Sequence, residues 1–489
     1  IGLLTSYSLP PYSFFFINFI TFPLLFFYLL SNQPKDKWIS FKIGWIFGFG
    51  YFISNLYWIS NSLTFEEIFK PLIPLSIIFI PLFLGLFYGF VTVCCSFFNL
   101  KKNFSSVLIF SLIFSIIEYL RSFIFGGFPW NLFVYSLTEF KELIQVLSII
   151  GTYALNLILI NIFLLPVIIF SQYKNKTKIS ILTIGVSILI LNFIYGKITI
   201  NNFAGIEKKI LDYNIKVISP NIKIDRFFKN EDVENFIFEL IEIAEPKYSE
   251  KTIFIFPEGI LSKIYLQDLK NYSKIFSNNF SDNHKIILGI NSLENSNIYN
   301  SMVILDNNLN ILEKYNKNNL VLFGEYLPFE IFFNKFGLKK ITQGYQSFSS
   351  HDERSIIKIE NIKFLPLICY EIIYSGKINK NTEYFDFILN ISEDGWFGDT
   401  VGPIQHFSHS IFRSIEEGKY LLRSANNGIS ALLNSKGQII DKTDTKGFIE
   451  LKTFKKVKKS KFSSYGNKIF FYFLLFYISL IAFLKLREK

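Results

Sequence analysis

The stretch PLIPLSIIFIPLFLGLFYGFVTVCCSFF, residues 71–98, contains no charged side chain and is long enough to cross a lipid bilayer as a helix. Comparable apolar stretches lie on both sides of it in the chain, at 14–30, 43–63, 104–125, 143–171, 179–196 and 468–485. The apolar residues 1–9 are too short for a span, and we expect them to be the end of an earlier one. The sequence therefore predicts a polytopic α-helical membrane protein with about eight spans, the first of them truncated.

The distribution of charge divides the chain into a membrane part and a water-soluble part. Of the 50 basic and 39 acidic residues, only 18 lie in residues 1–200, and the remainder of the chain has a charge content that is ordinary for a soluble protein. We therefore predict a transmembrane platform of seven spans at 1–200, a soluble domain at 213–453 and a final transmembrane helix at 467–486. The 59 phenylalanines exclude a disordered or fibrous protein, because so much apolar surface must be buried.

The basic residues indicate how the chain is oriented in the membrane. Lysines concentrate in the loops 31–42, 99–103 and 171–178 and in the carboxyl-terminal tail, whereas acidic residues offset the basic ones in the intervening loops. The positive-inside rule then places both termini in the cytoplasm and residues 197–467 on the opposite side. The lysine cluster at 455–461 opposes this assignment, and we interpret it as a collar that faces solvent or phospholipid.

The net charge of +11 does not indicate a nucleic-acid-binding protein. In the soluble part, no basic stripe alternates with exposed aromatic residues, so we expect no nucleic-acid partner. His406 and His409 are spaced i, i+3 but have no cysteine or acidic neighbours of the kind that zinc sites need, so we expect no metal.

In the soluble part, the sequence predicts short strands rich in β-branched residues that alternate with amphipathic helices. This order is typical of a layered α/β domain. The predicted helices lie at 231–244, 262–277 and 403–423. The predicted strands lie at 215–220, 252–256, 285–290, 299–305, 310–315, 364–370, 384–392, 428–434 and 438–441.

Three reactive residues follow or end predicted strands: Glu258, Lys317 and Cys369. Residues at such strand ends cluster into one crevice in layered sheets. A carboxylate there can take the proton of a thiol, and an ammonium group can stabilise the thiolate and the oxyanion that it forms on a carbonyl. No histidine is close to these three residues in sequence, so a cysteine–histidine enzyme is disfavoured.

Each of these residues also has a purely structural interpretation. A cysteine at a strand end can be a small buried hydrophobe, a glutamate after proline can be the charge that favours a helix N-terminus, and a lysine among asparagines can be part of a solvated loop. Only the sequence around the three residues separates the two interpretations.

The surrounding phrases resemble those of the apolipoprotein N-acyltransferase family, a membrane-bound branch of the nitrilase (carbon–nitrogen hydrolase) superfamily. The soluble part carries FPE (256–258), YNKNNLVLFGEYLPFE (315–330), ICYEIIYS (368–375), NISEDGWFGDTVGPIQHF (390–407) and LLRSANNGISAL (421–432). The membrane part carries GWIFGFGYFISNLYWI (44–59) and GGFPWNLFVYS (126–136). The resemblance covers essentially the whole chain.

The resemblance implies a nitrilase-like αββα sandwich that transfers an acyl chain without a cofactor. Cys369 would attack a phospholipid ester, typically at the sn-1 position of phosphatidylethanolamine, and form a thioester. The acyl chain would then pass to the N-terminal amine of an apolipoprotein's diacylglyceryl-cysteine. Glu258 would act as the general base and Lys317 as the oxyanion stabiliser.

The resemblance also implies supporting residues and a location. Glu325, Tyr370 and Glu371 would support the active site, while Asn390, Trp396 and Phe397 would contact substrate or form a lipid-facing lid. The protein would be a multi-pass protein of the bacterial inner membrane, with its catalytic domain on the periplasmic side.

Two other functions stay open at this point. A membrane-tethered nitrilase-like amidase would use the same three residues with water as the second nucleophile, but it would not need eight spans or an aromatic lid. A non-catalytic polytopic scaffold or transporter would not need three reactive residues at strand ends.

Overall fold

The computed structural model describes residues 1–31, 36–228, 232–328, 330, 340–341, 347–379 and 383–487. Two compact units form the chain. The first comprises Ile1–Ala204, Tyr374–Gly376 and Ser460–Lys489, and the second comprises Gly205–Ile373 and Lys377–Lys459. The predicted bounds 1–200, 213–453 and 467–486 stay a prediction.

The first unit is α-helical. Its helices are α1 Gly2–Ser6, α2 Asn18–Ser31, α3 Lys37–Leu56, α4 Ile73–Ser96, α5 Phe104–Arg121, α6 Lys141–Ile144, α7 Leu147–Phe163, α8 Asn175–Ala204, α12 Lys461–Tyr465 and α13 Lys468–Arg487.

Five helical segments of the first unit are long and apolar enough to cross a membrane: Glu67–Ser96, Phe104–Arg121, Leu147–Phe170, Asn175–Ala204 and Lys468–Leu486. They coincide with five of the predicted spans. The other three predicted spans fall on α1, α2 and α3, which have 5, 14 and 20 residues. The count of eight spans therefore stays a prediction.

A buried carboxylate stabilises the interior of the first unit. Glu118 of α5 accepts hydrogen bonds from the Tyr88 hydroxyl and the Asn156 amide, both at 2.8 Å. Arg121, three residues later in the same helix, lies 3.4 Å from the same carboxylate. Buried charges inside apolar helices are tolerated when they are paired and hydrogen-bonded in this way.

The second unit contains two six-stranded sheets, with strand orders β12-β1-β2-β3-β4-β5 and β11-β10-β9-β8-β7-β6. Each sheet has parallel pairs at its centre, β1–β2–β3 in the first and β7–β8–β9 in the second. The strands are β1 Lys209–Ser219, β2 Thr252–Ile255, β3 His284–Glu294, β4 Asn297–Leu305, β5 Ile311–Asn316, β6 Ile357–Ile359, β7 Ile362–Ile368, β8 Phe387–Glu393, β9 Tyr420–Asn426, β10 Ser430–Leu433, β11 Ile439–Thr443 and β12 Gly447–Phe454.

Helices cover both sheets. α9 (Val233–Ala244) and α10 (Ser273–Asn279) contribute to one apolar core with the inner strands of the first sheet. α11 (Gly402–Glu417) packs against β9 of the second sheet. Between the sheets, the Ser424 hydroxyl donates to the Ile218 carbonyl at 2.7 Å. The result is an αββα sandwich, as expected.

Two predicted helices differ from the structure. The helix predicted at 403–423 ends at Glu417, because Gly418 adopts a left-handed conformation (φ +66°) that stops it, and the last predicted residues belong to the buried strand β9. The helix predicted at 262–277 begins only at Asp268 as a 3₁₀ turn, before α10. The first error arises because a short apolar stretch fits helix and strand equally well.

Candidate active site

The predicted nucleophile follows the end of a buried parallel strand. Cys369 comes directly after β7 and begins the 3₁₀ helix Cys369–Ile373. Its backbone has φ +50°, in the left-handed region that residues other than glycine rarely adopt. Such backbone conformations concentrate at functional sites, where the surrounding structure holds them in place.

Lys317, which follows β5, is buried between two carboxylates. Its Nζ lies 3.2 Å from Oε1 of Glu258 and 2.9 Å from Oε1 of Glu325, and its side chain is only 1% exposed. Burial alone would lower the pKa of this ammonium group, but the charges of Glu258, Glu325 and Cys369 raise it well above its usual value. Lys317 therefore remains a cation at neutral pH.

Asn300 hydrogen-bonds the same two carboxylates. This residue was not predicted from the sequence. Its Nδ2 donates to Oε1 of Glu258 at 2.7 Å and to Oε1 of Glu325 at 2.8 Å. The sequence signal for it is a polar amide in the middle of strand β4, but an asparagine in a strand has many structural explanations. Both carboxylates are therefore held by an ammonium group and by an amide.

The other oxygen of the predicted base is fixed by backbone. Oε2 of Glu258 accepts a hydrogen bond from the backbone N–H of Glu393, the last residue of β8, at 2.9 Å. From the other side, β3 packs closely: a Cβ atom added at Gly289 would lie 2.5 Å from Cα of Glu258. Only glycine fits at that position, so the backbone of Glu258 is fixed as well as its side chain.

Glu371 connects the nucleophile turn to the lysine segment. Its carboxylate accepts hydrogen bonds from the Tyr315 hydroxyl at 2.7 Å, Nη2 of Arg354 at 2.7 Å and the backbone N–H groups of Ile368 and Asn318 at 2.8 and 3.0 Å. Burial would raise the pKa of Glu371, but Arg354 and these donors lower it, so the group is ionised. Tyr370, between this residue and Cys369, is half-buried.

A histidine lies beside the nucleophile in space, although none is close to Cys369 in the sequence. The imidazole of His406 pairs through Nδ1 with Asp394 at 2.9 Å and also hydrogen-bonds the backbone of Cys369. No local sequence pattern indicates this contact, because His406 and Cys369 lie on different elements, α11 and the turn after β7. Burial lowers the pKa of His406, so the ring is neutral at pH 7 and bonds backbone and carboxylate as a polar group.

The residues expected to contact substrate occupy two environments. Asn390 is fully buried within β8, where Nδ2 donates to the Leu367 carbonyl at 3.2 Å and the side-chain oxygen accepts from Arg423. Trp396 and Phe397 lie in the short 3₁₀ helix Asp394–Phe397 and are half-buried. Their ring centroids lie 5.5 Å from that of Phe227 and 5.4 Å from that of His406, respectively.

Among the described residues, no group of three or more histidine, cysteine or acidic side chains is arranged to hold a metal ion. The thiol of Cys369 lies within electrostatic reach of the Glu258 carboxylate and the Lys317 ammonium group. This set of groups suits attack on a carbonyl carbon, in which the carboxylate would take the thiol proton and the cation would stabilise the oxyanion.

Two family models match the chain and agree with this geometry. The carbon–nitrogen hydrolase model matches residues 271–448, so the second unit is a carbon–nitrogen hydrolase domain. The model of the apolipoprotein N-acyltransferase N-terminal domain matches residues 1–165.

Similar proteins identify the family. A protein of Rickettsia prowazekii (strain Madrid E) named apolipoprotein N-acyltransferase is 32% identical over 504 residues, which cover 99% of this chain and 98% of that one. One of the same name from Rhizobium rhizogenes is 28% identical over 509 residues, 98% of this chain and 93% of that one. The solved structure of a CN-hydrolase superfamily protein from Xanthomonas campestris aligns with a TM-score of 0.36 and 11% identity, covering 50% of this chain and 90% of that one.

The chain belongs to the apolipoprotein N-acyltransferase family and is an N-acyltransferase, as the relative from Rickettsia prowazekii shows.

The electrostatics of Cys369 give a testable pH dependence. Burial, with the charges of Glu258 and Asp394, raises the pKa of the thiol well above its usual value of 9.0, although Lys317 acts in the opposite direction. Because iodoacetamide reacts with the thiolate, its rate of reaction with Cys369, followed by peptide mass analysis, should rise with pH through a midpoint above 9.

The control is the same cysteine in the protein unfolded by denaturant, which should titrate near its usual value. A midpoint at or below pH 7 in the folded protein would mean that a stable thiolate exists, and that the thiol does not need a base at the moment of attack.

Proposed function

We propose that the protein transfers an acyl chain from a phospholipid, through a thioester on Cys369, to the N-terminal amine of the diacylglyceryl-cysteine of an apolipoprotein. This reaction would complete lipoprotein maturation. The observation that carries the proposal is the position of Lys317 between the carboxylates of Glu258 and Glu325. This arrangement keeps one buried cation and a fixed base beside the nucleophile Cys369.

In the first step, Glu258 takes the thiol proton as the sulfur of Cys369 attacks the ester carbonyl. The negative charge that forms on the carbonyl oxygen is stabilised by the ammonium group of Lys317. When the C–O bond breaks, Glu258 returns the proton to the departing alcohol. The products are a thioester and a lysophospholipid, and we propose the sn-1 chain of phosphatidylethanolamine as the donor.

In the second step, the amine of the acceptor attacks the thioester. Glu258 takes a proton from the nitrogen, Lys317 again stabilises the oxyanion, and the C–S bond breaks to give the amide. The proton held by Glu258 passes to the departing sulfur, which restores the thiol. The raised pKa of Cys369 favours this return to the neutral thiol.

The supporting residues have separate parts in this scheme. Glu325 would keep Lys317 in place, and Glu371 would hold the turn that carries Cys369, with Tyr370 beside it. Asn390, buried among the strands, would stabilise the site rather than touch substrate. Trp396 and Phe397 would contact the acyl chain or gate its entry.

The membrane part supports a lipid-linked donor and acceptor. Five helices are long and apolar enough to span a bilayer, and we propose that eight do, with the platform at 1–200 and a last helix at 467–486. We place the protein in the bacterial inner membrane by analogy with its family, and the lysines of the loops favour a catalytic domain, 213–453, that faces the periplasm. Phospholipid and diacylglyceryl-cysteine would then both reach the site from the membrane surface.

A transfer assay tests this function directly. The purified full chain receives phosphatidylethanolamine labelled in its sn-1 chain and a diacylglyceryl-cysteine peptide, and the label should appear on the peptide amine. Cys369→Ala should abolish transfer, because no thioester can form, whereas Cys94→Ala and Cys95→Ala should transfer at the wild-type rate.

Two results would contradict the proposal. Label released as free fatty acid at the same rate with or without acceptor would favour a hydrolase that uses water, as an amidase of this superfamily would. Full transfer by Cys369→Ala would show that the thioester is formed elsewhere or not at all.

The orientation can be measured with alkaline phosphatase fusions, since this enzyme is active only outside the cytoplasm. A fusion after residue 210 should be active, and a control fusion after residue 174, just before α8 in a lysine-rich stretch, should be inactive. The reverse pattern would place the catalytic domain in the cytoplasm.

A further inference from the structure

A second buried ion pair, between Arg226 and Glu393, lies next to the segment that carries the predicted base Glu258. The carboxylate of Glu393 is 1% exposed and lies 2.5 Å from Nη2 of Arg226, whose side chain is 2% exposed. The amide of Asn426 donates to the same carboxylate at 2.8 Å, and the backbone N–H of Gly395 donates to it at 2.9 Å. Each oxygen of Glu393 therefore has a donor from a different part of the chain.

Both members of this pair contact the segment that carries Glu258. The backbone N–H of Glu393 donates to Oε2 of Glu258 at 2.9 Å, and Nη2 of Arg226 lies 3.5 Å from the carbonyl oxygen of Gly259, the next residue. Glu393 ends β8 in the second sheet, whereas Glu258 follows β2 in the first. Arg226, from the loop after β1, thus ties the ends of two strands in different sheets together.

We propose that Arg226 and Glu393 are positioning residues for Glu258. Their ion pair fixes the end of β8, so that the backbone N–H of Glu393 points at the carboxylate of Glu258. This inference rests on the proposed role of Glu258 as general base. The contacts of the pair run to the segment that carries Glu258, so the pair acts through the base and not on the substrate.

The energetics of buried ion pairs favour a positioning role over a stabilising one. Removing two charges from water costs about as much as their attraction returns, so a buried pair adds little net stability. Its directional hydrogen bonds still define a geometry. A misplacement of a catalytic group by about 1 Å can cost roughly 100-fold in rate, and that is the loss that this pair would prevent.

The experiment compares single and double variants in the full-length protein. Glu393→Gln and Arg226→Met each leave one buried charge unpaired and should lower the melting temperature. The double variant R226M/E393Q removes both charges and should recover most of that loss. The rate of Cys369 acylation by phosphatidylethanolamine without acceptor is measured per folded molecule, over a range of lipid concentrations.

We expect R226M/E393Q to acylate about 10- to 100-fold more slowly than wild type at saturating lipid, with an unchanged half-saturating lipid concentration. Arg226→Lys, which keeps the charge but not the planar fork, should fall in between. The matched control is Glu416→Gln, which breaks the buried pair of Glu416 with Arg413 at 2.7 Å in the same unit. It should lower the melting temperature but leave the rate per folded molecule unchanged.

A double variant that recovers both its stability and its rate would overturn the proposal, because the pair would then be structural only. So would Arg226→Lys at the wild-type rate. Glu258→Gln separates this failure from a failure of the proposed function. If Glu258→Gln is inactive while the pair variants are not, only the positioning role is wrong; if Glu258→Gln acylates normally, the general base itself is misassigned.

Discussion

The ammonium group of Lys317 lies between the carboxylates of Glu258 and Glu325, and the catalytic domain is arranged around that contact. An unpaired charge could not be buried there, so the two carboxylates and the Asn300 amide have to converge on it. All of them belong to the first sheet: Glu258 follows β2, Asn300 lies in β4, and Lys317 and Glu325 follow β5. In the proposed reaction the same contact matters, because the ammonium group of Lys317 would face the oxyanion that forms on the substrate.

The sequence predicts the reactive residues better than their surroundings. Glu258, Lys317 and Cys369 could be found because each follows a strand that its own local pattern reveals. Asn300 and His406 could not, because their contacts depend on how separate strands and helices align, and nothing local in the chain encodes that alignment. The same limit explains strand β9, whose residues fit a helix until Gly418 and the neighbouring strands β8 and β10 are considered.

The membrane part shows where composition is informative and where it is not. Long apolar segments such as Phe104–Arg121 and Asn175–Ala204 could be predicted closely, because length and hydropathy alone define them. Shorter helices such as α2, and α3 with its lysines, are harder to assign, since packing inside the unit can bury them as well as lipid can. A buried carboxylate such as Glu118 could be noticed in the sequence, but its partners Tyr88 and Asn156 could not.

The rate of Cys369 acylation in Lys317→Met tests the central role of the buried cation most directly. A single-turnover reaction with phosphatidylethanolamine alone, followed by intact mass, should be about 100- to 1,000-fold slower than in wild type, with the variant still folded. The control, Lys446→Met, removes a surface lysine paired with Glu239 at 2.7 Å and should react at the wild-type rate. A folded Lys317→Met protein that acylates as fast as wild type would contradict the assignment of Lys317 as the group that stabilises the oxyanion.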